Sequence, residues 1–60
     1  MEQRQDFFKI YSNIPPEERR NVVVVIGDQP ISWLIAYQEI KNDTKLGAKI
    51  LKILKDLEII

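Results

Sequence analysis

The chain contains no cysteine and no histidine. This excludes disulfides and thiolate chemistry, and it removes the residue types that hold nearly every protein zinc ion. A catalytic reading loses most of its parts with them. A general base working near neutral pH is usually histidine, and a nucleophile needs an activating neighbour. Ser12 and Ser32 sit in no nucleophile motif, and the carboxylates stand singly or beside basic residues. Glycine is scarce as well: Gly27 and Gly47 are isolated and cannot build a phosphate-cradling loop. The expectation is a chain that is not an enzyme and takes no cofactor and no small-molecule ligand.

A charge of one sign is also missing. Nine basic and nine acidic residues cancel, whereas a dedicated nucleic-acid binder carries a basic excess, so direct nucleic-acid binding is expected to be weak or absent. No apolar run approaches the roughly 18 to 20 residues that cross a bilayer. The polar start Met1 to Asp6 lacks the basic-then-apolar order of a signal peptide. These features, with the absence of cysteine, lead us to expect a cytoplasmic protein without membrane contact. Abundant isoleucine, few glycines and 30% charged residues of both signs make a hyperthermophile composition.

Sixty residues make one domain, 1–60, and a chain of this size buries only about 60% of the surface its unfolded form exposes. With disulfides and zinc excluded, oligomerisation or docking on a partner remains as extra support. A protein partner is therefore expected, and a homodimer stays open.

The elements read as α+β. Phe7, Phe8, Ile10 and Tyr11 after a polar first turn predict a short amphipathic helix from Glu2 to Tyr11. It stops at Ser12-Asn13, because Ile14 and Pro15 each precede a proline and are pushed out of the α region. Pro16 to Arg20 reads as one helical turn, with proline first and acids before bases. Val22 to Ile26 is β-branched throughout, which favours a strand. Its unbroken apolar run implies that both faces are at least partly covered, with Val22, Val24 and Ile26 on one and Val23 and Val25 on the other. Gly27-Asp28 is the turn of a hairpin over about 22–31, pairing Ile26 with Gln29 and Val24 with Ile31; Pro30 confines the second strand to an edge. Ser32 caps a helix from Trp33 to Lys41. Asp43 or Thr44 caps a last helix from about Lys45 to Glu58, whose apolar stripe is Leu46, Ile50, Ile53, Leu54 and Leu57. The expected fold is a β-hairpin packed against an N-terminal helix and two C-terminal helices, with Ile59-Ile60 packed down.

Three surfaces are candidates for binding. Trp33, Ala36, Tyr37 and Ile40 share one helix face, so Leu34 and Ile35 project roughly 100° and 200° away from Trp33. Leu34, Ile35 and Gln38 are therefore a candidate protein interface, unless flanking elements bury Leu34. Val22, Val23, Val24, Val25 and Ile26 form a candidate edge strand that could accept a partner's strand, unless the N-terminal helix or the Pro-Pro segment covers it. Lys45, Lys49, Lys52 and Lys55 form a basic stripe, three of them within about 60°. Four lysines in a neutral domain are too few for tight nucleic-acid binding, and a solvated face is the simpler reading.

The strand-helix-helix order from Val22 onward resembles that of a dimeric ribbon-helix-helix DNA-binding regulator. That mechanism needs polar strand residues to reach base edges, and the valine run offers none. Over its whole length, with IPPEERRNVVVVI, PISW and the ending LGAKILKILKDLEII, the chain resembles the small accessory subunits of the crenarchaeal replicative B-family DNA polymerase holoenzyme. The resemblance implies an archaeal, non-catalytic accessory subunit that binds the polymerase and supports its activity or stability in DNA replication. A generic interaction module with another partner is the alternative.

Overall fold

The computed structural model describes residues 3–60; Glu2, the expected first helical residue, lies outside the described residues. Helix α1 spans Gln3–Ser12 and buries Phe7 and Tyr11, one turn apart. It ends by tightening: Asn13 N and Ile14 N donate to Ile10 O and Tyr11 O at 3.0 Å each, before Pro15 extends the chain at φ −57, ψ 145. The following turn is a 3-10 helix over Pro16–Glu18 rather than a full turn to Arg20. In its bonds Glu18 N donates to Pro15 O and Arg19 N to Pro16 O, and the N–H that Pro16 lacks is one the start of a helix would leave unbonded.

Strands β1 (Val22–Ile26) and β2 (Gln29–Ser32) form an antiparallel hairpin in the expected register, Ile26 opposite Gln29 and Val24 opposite Ile31. Gly27 adopts φ +61 while Asp28 keeps a negative φ, the pattern of a II′ turn, which asks for glycine at its first central position. One expectation fails. The register shifts between Val22 and Val24, because Val22 faces Ser32 although Ile31 already faces Val24. Val23 is thus the extra residue of a bulge, which breaks the alternation. Val24 is buried and Val23 and Ile26 pack on the core, but Val22 and Val25 are 54% and 58% exposed. Val22 does not share a covered face with Val24, and the run is not covered on both sides.

Helix α2 spans Trp33–Lys41. Its first amides are all satisfied: Trp33 N donates to Asn21 O at 3.2 Å, Leu34 N to Arg19 O at 2.9 Å, and Ile35 N to the Ser32 Oγ at 3.2 Å. Backbone from the segment before β1 thus completes the cap that Ser32 starts. Helix α3 spans Lys45–Asp56 and is capped by Thr44, whose Oγ1 accepts from Gly47 N at 2.9 Å.

Both helices close with paired 5→2 and 6→1 bonds. Asp43 N to Ile40 O and Thr44 N to Glu39 O end α2; Glu58 N to Lys55 O and Ile59 N to Leu54 O end α3. This motif puts a left-handed residue just past the cap, and Asp43 (φ 57) and Glu58 (φ 61) fill that place. Thr44 therefore both finishes α2 and starts α3, and α3 stops at Asp56, short of the expected Glu58. Replacing Thr44 by alanine removes the cap and is expected to cost about 1 kcal/mol, readable as a lowered urea midpoint with an unchanged slope.

The core is Phe7, Tyr11, Val24, Ile31, Ala36, Ile40, Ile50 and Leu54. Every element except the 3-10 turn contributes to it, and no buried side-chain polar atom among the described residues lacks a partner. Leu57, expected on the α3 stripe, is 59% exposed because the helix has ended before it. Of the expected Ile59-Ile60 pair only Ile60 packs on the core; Ile59 is exposed. No helix among the described residues is long and apolar enough to cross a membrane.

Candidate interaction surface

Helix α2 sets the site because it is apolar beyond what the core can take. Ala36 and Ile40 are buried, and Trp33 and Tyr37 pack partly buried beside them. Leu34 (40% exposed), Ile35 (38% exposed) and Gln38 lie open together on the outward side. Flanking elements do not bury Leu34; only its amide is engaged, by Arg19 O. The expected interface residues are thus all accessible.

The strand candidate is divided. Among the described residues β1 pairs only with β2, so its other edge has no strand partner, and α3 packs against β1. Val22 and Val25 are exposed, whereas Val23, Val24 and Ile26 are committed to the core. The lysine candidate is intact: Lys45, Lys49, Lys52 and Lys55 are all exposed on α3, and none forms an ion pair among the described residues.

A fourth feature escaped the sequence reading. The one Trp, two Tyr and two Phe of the chain meet in a single cluster between α1 and α2. Phe7 packs against Phe8, Tyr11 and Trp33 at 5.8 to 6.0 Å between ring centres. Tyr11 and Tyr37 stack at 4.4 Å and 12°. Phe8 meets Tyr37 edge-on at 5.7 Å. Cations cover its outer side: Arg19 lies 4.5 Å from the Tyr11 ring centre, Arg4 5.7 Å from Phe8 and Lys41 5.7 Å from Tyr37. Between them runs an open groove of about 570 Å³, lined by Phe8, Tyr11, Ser12, Arg19, Tyr37 and Lys41. The sequence hint was the spacing of Phe8 and Tyr11 on α1 against Tyr37 and Lys41 on α2, but the juxtaposition needs the tertiary fold.

No protein-family model and no solved structure matches this chain. Function must therefore be argued from its surfaces. Among the described residues no group of three or more acidic, His or Cys side chains is placed to hold a metal ion.

Proposed function

We propose that this chain is a non-catalytic, cytoplasmic accessory subunit that docks on a larger protein machine through the outward face of α2. The partner implied by the sequence resemblance is a B-family DNA polymerase. The observation that carries the reading is the exposure of Leu34 and Ile35 side by side on a helix whose opposite face already fills the core. Adjacent exposed aliphatic side chains bordered by a polar Gln38 fit the apolar centre and polar rim of a protein interface.

The test is reconstitution with a purified archaeal B-family polymerase, followed by size exclusion and titration calorimetry. The wild-type chain should co-elute with the polymerase. Ile35→Glu should weaken binding about 100-fold or more, since the interface would bury an unpaired carboxylate. Its melting temperature should stay within a few degrees of wild type, because surface changes usually fall within about 0.5 kcal/mol. Lys52→Gln, on α3, should bind nearly as wild type. Failure of the wild-type chain to co-elute rejects the polymerase as partner; undiminished binding by Ile35→Glu rejects the surface.

A further inference from the structure

We propose that the groove between α1, the 3-10 turn segment and α2 is a receptor for an acidic peptide segment of a protein partner, with Arg19 as its principal anchor. The proposal does not depend on who the α2 partner is. Arg19 is half-buried and held in place twice, since its Nε donates to Ile14 O at 3.0 Å and its guanidinium lies over the Tyr11 ring. A fixed guanidinium loses little freedom on binding and presents its remaining donors as a fork that matches a carboxylate. Those Nη donors have no ion-pair partner among the described residues. Lys41 supplies a second cation across the groove, and no lining residue is acidic. In a chain with zero net charge, this is a local positive site on an aromatic wall, complementary to carboxylates carried beside apolar side chains.

The same geometry disfavours single-stranded nucleic acid. Base stacking needs an open ring face. Tyr11 is only 7% exposed, with Tyr37 and Arg19 both within 4.5 Å of its ring centre. Phe8 and Tyr37 are half-buried and turned edge-on to one another. The groove offers cations and ring edges, which suit a peptide.

Titration of the isotope-labelled full chain with an N-acetylated hexaglutamate peptide, followed by amide chemical shifts, tests this directly, with oligothymidylate in parallel. The expected result is saturable shifts centred on Phe8, Ser12, Arg19, Tyr37 and Lys41, weakened by added salt. Arg19→Gln should weaken the hexaglutamate affinity at least about tenfold, and Lys41→Gln, a change at an exposed position that leaves the Arg19 contacts in place, should weaken it several-fold. A Lys49→Gln/Lys52→Gln double variant should bind as wild type. Absence of saturable groove shifts, equal weakening by the α3 lysine variant, or tighter binding of oligothymidylate at the same residues would each overturn the proposal.

Discussion

Phe7→Ala is expected to unfold most of the protein at moderate temperature. Phe7 is fully buried at the meeting point of α1 and α2, touching Phe8, Tyr11 and Trp33. Truncating a core phenylalanine costs about 3–5 kcal/mol, because transfer energy is lost and the cavity collapses only in part. A chain of this length has only about 3–9 kcal/mol to lose, at roughly 0.05–0.15 kcal/mol per residue. The melting temperature should fall on the order of 20 °C or more. Phe7→Leu, which keeps most of the volume, should cost far less. A melt of Phe7→Ala within a few degrees of wild type would mean that the aromatic cluster is not the core.

The second large effect runs against helix propensity. Gly47 lies inside α3, where alanine would ordinarily gain about 1 kcal/mol. Gly47→Ala should instead destabilise by about 2 kcal/mol, because a Cβ there would stand 2.7 Å from the Glu39 carbonyl carbon and 2.9 Å from Ile40 N, with the Glu39 carbonyl oxygen nearer still. These are backbone atoms and cannot rotate away. The Glu39 carbonyl also accepts from both Thr44 N at 3.1 Å and Thr44 Oγ1 at 3.3 Å, so moving it disrupts the connector that ends α2 and caps α3. Chemical denaturation gives the sign: a stabilised Gly47→Ala variant would show that the helices do not approach as closely as described.

Gly47 illustrates what the sequence could not convey. As a lone glycine within a helical pattern it reads as a tolerated weakness; its role appears only when Glu39 is brought against it. The elements that were legible are those fixed by neighbours in the chain. Ser32 before Trp33 starts α2, Gly27-Asp28 turns the hairpin, and the paired prolines stop α1. The end of α3 was missed because Glu58 takes a left-handed conformation usually given to glycine. The bulge at Val23 was missed because five near-identical residues carry no register mark; β2 and its continuation into α2 decide it. Angular position marked Leu34, Ile35 and Gln38 as the outward side of α2, but whether flanking elements buried Leu34 could be read only from the fold. The groove was not, since residues 8, 19 and 37 come together only through the fold.

If the outward face of α2 is the docking surface, as proposed above, site-specific photo-crosslinking reveals it most directly. Benzoylphenylalanine placed at Gln38, which is exposed beside Leu34 and Ile35 and has no core role, should crosslink the reconstituted polymerase on irradiation, while the same group at Lys52 on α3 should not. A crosslink from position 52 with none from position 38 would contradict the account.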